Sequence, residues 1–381
     1  MSTTAADTPN TSDAPATIPG LDGIRALAVA LVFFAHSGLE SVIPGGLGVT
    51  IFFVLSGFLI TTLMRQEHAR TGRIDFRGFY LRRLLRLMPP LVVVIMIAAA
   101  LAALGVIDGT FTPGGFAAAL FYLGNYFVIA QDFHGLPAGL GVIWSLAIEE
   151  HFYLFYPPLA LLLLRARSTG GAALVLAGLC VAVLAWRVWL VRQGMSVEYL
   201  TMATDTRVDA ILVGCLLALW RNPWLAPQPM HNGPGRVMRE RLLVALCLAT
   251  LLGSFLWRDE AFRQTARYTL QSLAIAGLLH AAVARAGSRP WRWLNARPLV
   301  YLGSISYTVY LSHHVILLGL AKHVPQWGWV GLTVGGALLT LAVAEPMRRW
   351  VEAPCAALRR RLHRERLARQ APPALHLVGT P

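Results

Sequence analysis

Residues 18–37 read IPGLDGIRALAVALVFFAHS, and this stretch decides how the chain folds. It is apolar except at Asp22, Arg25 and His36, and a helix of about 20 such residues can cross a bilayer. Arg25 and His36 are eleven residues apart. Eleven steps of about 100° make roughly three turns, so both side chains share one helix face, about 16 Å apart. Either residue alone could lie at a membrane interface, but the pair on one face favours a function.

The composition of the 381-residue chain excludes a soluble protein. Its residues are 14% charged and 56% apolar, whereas soluble domains carry about 25% charged residues. The net charge of +14 comes from arginines spread between apolar runs. That pattern indicates membrane topology and argues against a nucleic-acid partner. The cysteines lack the CxxC spacing of a metal or redox motif, so no metal is predicted.

The predicted fold class is an all-α, polytopic membrane bundle of about ten transmembrane helices. Residues 114–133 are apolar enough for an eleventh span, but Gly124-Asn125-Tyr126 interrupts them. We predict an interfacial or re-entrant segment there. The ten predicted spans are residues 21–38, 46–64, 88–106, 144–164, 171–191, 207–221, 240–257, 268–285, 299–320 and 328–350.

The distribution of arginines predicts the orientation. With ten spans and a cytoplasmic N-terminus, most arginines fall in loops on the inner side, and the 107–143 loop outside has no lysine or arginine. This asymmetry follows the positive-inside rule and predicts that both termini are cytoplasmic. We predict a disordered tail at 1–17, a transmembrane domain at 18–355 and a basic tail at 356–381.

Ionisable residues inside a bilayer cost several kcal/mol, which makes them the first candidates for a site. His36 can act as a base near neutral pH. Arg82, Arg83 and Arg86 precede a predicted span on the inner side, where guanidinium groups either bind phosphate or anchor the topology. The charge pattern alone favours the anchor.

Two carboxylates open the fourth predicted span, which reads Trp144-Ser145-Leu-Ala-Ile-Glu149-Glu150-His151. Placed at the level of His36, they predict a polar cavity or a charged partner, although an interface anchor is the alternative. The sixth span opens with Arg207 and Asp209, which we expect to pair with each other.

The ninth predicted span carries hydroxyl groups and histidines. It reads Ser306-Tyr307-Thr-Val-Tyr310-Leu-Ser-His313-His314. Hydroxyl groups alone in a spanning helix usually join helices to one another. Each polar motif alone is weak evidence of a function, whereas the motifs taken in their order along the chain are specific.

These motifs in their order resemble the acyltransferase 3 family of integral membrane O-acyltransferases, in the form without an SGNH domain. The motifs are Arg25 with His36, the run from Gly48 to Phe58, Arg82-Arg83-Leu-Leu-Arg86-Leu-Met-Pro89, Trp144-Ser145 to Glu149-Glu150, Arg207-x-Asp209, and Ser306-Tyr307-x-x-Tyr310-x-x-His313. The resemblance covers about residues 18–355.

The resemblance implies an enzyme that transfers an acyl group, usually acetyl, from acyl-CoA to a hydroxyl. It implies that Arg25 and His36 are essential, with His36 as base. Our own hypothesis is that Glu149 or Glu150 orients or recharges His36. Arg82, Arg83, Arg86 and Tyr307 are the expected donor site. Trp144, Ser145, Arg207, Asp209, Tyr310 and His313 are the expected acceptor site.

The expected partners are acyl-CoA, the lipid bilayer of a bacterial inner membrane and a hydroxyl-bearing acceptor, first of all a surface glycan. The sequence does not separate direct transfer from an acyl-histidine intermediate. A proton-coupled transporter or flippase remains the alternative, because intramembrane His, Glu and Arg also suit a proton relay. A non-catalytic scaffold would leave the buried charges unexplained.

Overall fold

The structure is a computed structural model and describes residues 18–166, 168–226 and 234–370. The predicted tail at 1–17 and residues 371–381 of the predicted basic tail lie outside these residues. The described part of the chain contains helices and no strand, which confirms the predicted all-α class.

Seventeen α-helices follow one another in the described residues. They are α1 (Leu21–Phe34), α2 (Gly45–Thr71), α3 (Phe76–Ala103), α4 (Pro113–Leu120), α5 (Gly124–Gln131), α6 (Trp144–Arg165), α7 (Thr169–Arg192), α8 (Val197–Met202), α9 (Thr204–Trp220), α10 (Pro234–Leu256), α11 (Glu260–Gln264), α12 (Ala266–Ala284), α13 (Arg289–Arg292), α14 (Arg297–Ser304), α15 (Ser306–His323), α16 (Gly328–Met347) and α17 (Ala353–Gln370).

Five of the described helical segments are long and apolar enough to cross a membrane, and the number is seven if each of two bent pairs counts as one span. The predicted count of ten therefore remains a prediction. Three more predicted spans coincide with α6, α9 and α10. These three helices do not have the length or the apolar composition of a span, because α6 carries two carboxylates, α9 has 17 residues and α10 begins with several charges.

The segment at 114–133 forms two separate helices, α4 and α5, of eight residues each. Eight residues extend only about 12 Å, much less than the ~30 Å of the hydrocarbon core. Thr112 caps α4, its side chain accepting from the Gly115 N–H at 3.0 Å. The break covers residues 121–123, just before the predicted interruption, because Gly124, Asn125 and Tyr126 lie within α5. That the segment is interfacial or re-entrant remains a prediction.

Helix α3 begins earlier than predicted, which places the basic motif inside the helix and corrects its assignment to a loop. Asp75 caps α3 by accepting from the Gly78 N–H at 3.0 Å. Pro89 and Pro90 also lie within the helix, as spanning helices tolerate where neighbours satisfy the freed backbone groups. Arg82, Arg83 and Arg86 are consequently held on a rigid element.

The predicted ninth span is not one straight helix, which corrects the prediction for 299–320. It is bent by 71° between α14 and α15. The bend accompanies a close crossing with α1, because a Cβ at Gly303 would lie 1.9 Å from the Asp22 carbonyl oxygen. The crossing brings the start of α15 beside the start of α1.

Helix α1 also departs from a regular helix, because residues Ala35–Leu39 form a π-helical turn with Gly38 at φ 99°. Such wide turns within α-helices occur frequently at functional sites. His36 lies in this turn. The Thr333 hydroxyl of α16 donates to Ser37 Oγ at 3.0 Å, which fixes the turn against a neighbouring helix.

Candidate active site

One cavity brings together many of the polar residues that the sequence singled out. It lies between α1, α2, α3, α6 and α15, and together with its opening it occupies about 670 Å³. The lining consists of Arg25, Val49, Phe52, Phe53, Ser56, Leu59, Arg83, Arg86, Leu87, Ser145, Leu146, Glu149, Tyr153, Ser306, Tyr307 and Tyr310.

Three guanidinium groups converge on this cavity, Arg25 from α1 and Arg83 and Arg86 from α3. Arg25 donates to Asp22 Oδ1 at 2.7 Å, and the Arg83 guanidinium carbon lies 4.7 Å from the centre of the Tyr153 ring. Asp22 and Glu149 supply two negative charges against these three positive ones, and like charges in a medium of low dielectric are unfavourable without a full set of counter-charges. The arrangement therefore suits an anionic ligand, and Arg forks bind phosphate in a bidentate way.

Glu149 is the carboxylate of the cavity. Its Oε1 accepts from Ser56 Oγ at 2.8 Å, and its Oε2 accepts from the Tyr153 hydroxyl at 3.3 Å. The Tyr153 hydroxyl also lies 3.0 Å from Ser56 Oγ, which links α2 to α6 through three side chains. The carboxylate is thus held near Arg83 and Arg86 by hydroxyl groups.

The wall formed by α15 carries the predicted tyrosines. Tyr310 and Ser145 share a hydrogen bond of 2.6 Å between their hydroxyl oxygens. The Tyr307 hydroxyl donates to the Leu87 carbonyl at 2.8 Å, tying α15 to α3. Both tyrosines therefore line the cavity with their hydroxyls engaged by its walls.

Beyond Tyr310, the same helix meets His36. The His36 Nδ1 and His313 Nε2 atoms are 2.8 Å apart. The ring of His314 stacks on His36 with centroids 4.3 Å apart. His313 is fully buried, whereas His36 is exposed. Arg25 therefore lines the same cavity as α15, and His36 contacts α15 directly through His313.

Seven of the fourteen predicted site residues lie outside the cavity lining: Arg82, Trp144, Glu150, His36, His313, Arg207 and Asp209. Arg82 forms an ion pair with Glu67 at 3.7 Å. Trp144 packs edge-to-face on Phe53 with centroids 6.4 Å apart, behind the cavity wall. Glu150 has one carboxylate oxygen buried without a hydrogen-bond partner among the described residues. Its role remains a prediction.

Arg207 and Asp209 do not pair in the predicted way. Asp209 instead forms an ion pair with Arg187 at 2.7 Å, and both side chains are fully buried. Arg207 donates to Thr50 Oγ1 at 3.1 Å and lies 3.8 Å from the Tyr268 ring centre. The correction has a simple cause, because an i, i+2 pair points to different sides of a helix.

Sequence reasoning missed Arg187 and undervalued Ser56. A signal for Arg187 was present, since an arginine within the apolar run of α7 is costly unless it has a partner. Ser56 lies in the run from Gly48 to Phe58, and nothing local distinguishes a serine that packs between helices from one that binds a carboxylate.

No group of three His, Cys, Asp or Glu side chains within 18–166, 168–226 and 234–370 is suited to a metal ion. The cavity combines guanidinium groups, a carboxylate and hydroxyls, and the imidazoles of His36 and His313 meet one turn beyond Tyr310, where α15 contacts the turn after α1. These groups can bind an anion and accept a proton.

The profile described as an acyltransferase domain matches residues 18–345. The chain belongs to the acyltransferase 3 family. This match confirms both the resemblance and the enzyme class, an acyltransferase, and the apolar helices agree with an integral membrane protein. The acyltransferase 3 domain contains each of the elements that form the cavity.

Several curated relatives are similar over most of the chain. A Bacillus subtilis (strain 168) protein named as a candidate peptidoglycan O-acetyltransferase, YrhL, is 33% identical over 79% of this chain and 49% of its own length. A candidate O-acetyltransferase of Staphylococcus aureus (strain COL) is 31% identical over 88% and 57%. The peptidoglycan O-acetyltransferase OatA of Listeria monocytogenes is 30% identical over 79% and 49%.

The chain therefore spans about half the length of the curated relatives it matches. No solved structure matches the chain.

Proposed function

We propose that this acyltransferase 3 protein moves an acetyl group from acetyl-CoA, or another acyl group from its CoA ester, to a hydroxyl of a cell-envelope glycan. The observation that supports it most is the continuity of the site. Three guanidinium groups line one cavity with Tyr310, and His313, one turn further along α15, bonds to His36. The surface that would bind a phosphate-bearing donor thus adjoins the histidine that would accept a proton.

The donor would bind on the inner side. CoA carries a pyrophosphate and a further phosphate, which suit the forked guanidinium groups of Arg83 and Arg86. Its slender arm would then extend along the cavity past Glu149 toward Tyr310. Arg25, whose Nη1 is engaged by Asp22, would use its remaining N–H groups on the donor or on the oxyanion that develops at the thioester carbonyl.

His36 would act as the general base. It takes the proton of the acceptor hydroxyl, the hydroxyl oxygen attacks the thioester carbonyl, and the carbon–sulfur bond breaks. The imidazolium then returns the proton to the leaving thiolate, which gives free CoA thiol. The products are an ester and a thiol, and His36 ends in its starting state.

The proposed acceptor is a hydroxyl of peptidoglycan. This proposed acceptor rests on relatives named as peptidoglycan O-acetyltransferases. It is more specific than the surface glycan that we expected from the sequence. The proposed location is the bacterial cytoplasmic membrane, with residues 18–355 as the transferase domain. The tails at 1–17 and 356–381 would face the cytoplasm, as the arginine distribution favours.

A thiol assay on purified protein tests this proposal. We expect acetyl-CoA and a soluble glycan fragment to release CoA thiol with the wild type, and His36→Ala to lower the rate by about 10²-fold or more, as loss of a general base does. His323→Ala, at the C-terminal end of α15, is the control. Undiminished release by His36→Ala, or glycan movement without thiol release as a transporter predicts, would overturn the proposal.

A further inference from the structure

The hydrogen bonds of His313 determine how protons are distributed over the two joined imidazoles. His313 Nδ1 lies 2.7 Å from the Tyr310 carbonyl oxygen and 3.1 Å from that of Val309. Its Nε2 lies 2.8 Å from His36 Nδ1. Every nitrogen of the pair except His36 Nε2 is therefore engaged in a contact that constrains its proton.

The proton positions follow in two steps. Carbonyl oxygens only accept hydrogen bonds, so His313 Nδ1 carries a hydrogen. Because His313 is fully buried, the charged imidazolium is disfavoured, and a neutral ring leaves Nε2 as an acceptor. His36 Nδ1 must then be the donor of the shared bond. In a neutral His36, the lone pair consequently lies on Nε2.

We infer that His313 is a positioning residue, which holds His36 in the tautomer whose Nε2 is the base. The inference rests on the proposed function, because it deepens the role of His36 in acyl transfer. It also replaces our expectation that His313 contacts the acceptor. Neither the family match nor the names of the relatives assign this role to His313.

The surroundings of His36 keep its ring in a single orientation. His314 stacks on one face, with an interplanar angle of 12°. The π-helical turn that carries His36 is tied to α16 through Ser37 and Thr333. The titratable groups that face His36 are Glu40 on its own helix and His313 and His314 on α15. The orienting group is thus an imidazole, while the Glu149 carboxylate is bound to Ser56 and Tyr153.

The pairing also acts during the reaction. When His36 Nε2 takes the proton of the acceptor hydroxyl, His36 becomes an imidazolium, and its Nδ1–H continues to donate to the neutral His313 Nε2. That bond is then charge-assisted and stronger than in the ground state. The proton on Nε2 later passes to the thiolate sulfur, so His313 neither gains nor loses a proton. It stabilises the charge at the step where the charge exists.

Two substitutions at His313 separate positioning from folding. His313→Leu removes the Nε2 acceptor and fills the buried position with an apolar side chain of similar size. His313→Gln can present an amide oxygen near the position of Nε2. His323→Gln, on the same helix, is the matched control. The readouts are kcat and KM for thiol release, and the ¹⁵N NMR spectrum of histidine-labelled protein in bilayers, with His36 assigned by its loss in His36→Gln.

We expect a roughly 10–100-fold fall in kcat for His313→Leu, as is typical when an orienting partner is removed, with KM for the donor changed less than twofold. His313→Gln should recover at least a third of that loss on a logarithmic scale. The wild-type spectrum should give neutral His36 protonated at Nδ1, and His313→Leu should shift it toward the Nε2–H tautomer.

Each contrary outcome is decisive. A wild-type His36 protonated at Nε2 overturns the inference even if no His313 variant folds. Unchanged kcat in a folded His313→Leu protein overturns it as well, and leaves the proposed function intact if His36→Ala is inactive. If His36→Ala is itself active, the proposed function fails first.

Discussion

Two neighbouring arginines of one motif have different surroundings in the structure. Arg83 lines the cavity together with Arg86, whereas Arg82 turns toward Glu67. In the sequence RRLLR the three arginines look equivalent, because a run of charged residues does not reveal which side chains face inward. The geometry makes Arg83 and Arg86 the stronger candidates for donor contacts.

Substitution of these arginines tests the donor site. We expect Arg83→Ala and Arg86→Ala each to raise KM for acetyl-CoA roughly 10-fold or more, since a charge-assisted hydrogen bond contributes about 1.5–3 kcal/mol. Arg82→Ala, the control from the same helix turn, should change KM less than threefold. Equal effects at all three positions would show that general charge, and not the cavity, binds the donor.

The sequence predicted which polar residues gather in the interior of the bundle better than it predicted their partners. Arg25, His36 and Glu149 stand out because a bilayer makes them costly. The hydrogen bond between His36 and His313 joins residues that are 277 positions apart. Such a pairing depends on the bend before α15, which accompanies a close crossing with a helix distant in the sequence.

At the scale of helices, α2 and α9 are in closest contact where both carry glycine. A Cβ at Gly57 would lie 1.9 Å from the Ile211 carbonyl oxygen, and one at Gly214 would lie 2.1 Å from that of Val54. Small residues at such crossings let spanning helices approach closely. Gly57, in the second predicted span, is therefore a packing residue at this crossing.

Alanine substitution at the crossing should be costly. We expect Gly57→Ala and Gly214→Ala each to destabilise the fold by about 1–3 kcal/mol, because the helices must move apart. The measurement is the apparent melting temperature in detergent. Gly178→Ala in α7, where a Cβ meets open space, is the control and should leave it unchanged or higher. A melting temperature that is the same in all three variants would contradict the close crossing.

The buried ion pair of Arg187 and Asp209 fastens α7 to α9 and has its own test. Asp209→Asn should destabilise by about 3–5 kcal/mol, because it leaves a buried guanidinium without its counter-charge. Replacing both partners, Arg187→Met with Asp209→Leu, should recover most of that loss. If the double variant is less stable than Asp209→Asn, the pair is not the main interaction of either residue.

Across the whole molecule, the arginine distribution predicts which face is cytoplasmic, and the single lysine offers a direct check. Lys322 follows the ninth predicted span, on the side that we predict to be outside, and donates to Asp108 Oδ1 at 2.7 Å. An amine-reactive reagent that cannot cross membranes should label Lys322 in intact cells, and Lys322→Arg should abolish the label. Labelling only after the membrane is broken would invert the proposed orientation.

The central claim is that the acyl group passes from a donor on one side of the bilayer to a hydroxyl on the other. Proteoliposomes with radiolabelled acetyl-CoA on the side of Arg83 and Arg86, and a soluble glycan fragment only on the opposite side, test it directly. We predict alkali-labile label in the glycan with wild-type protein and none with His36→Ala. Label that enters the glycan only when both reactants share a compartment would contradict the account.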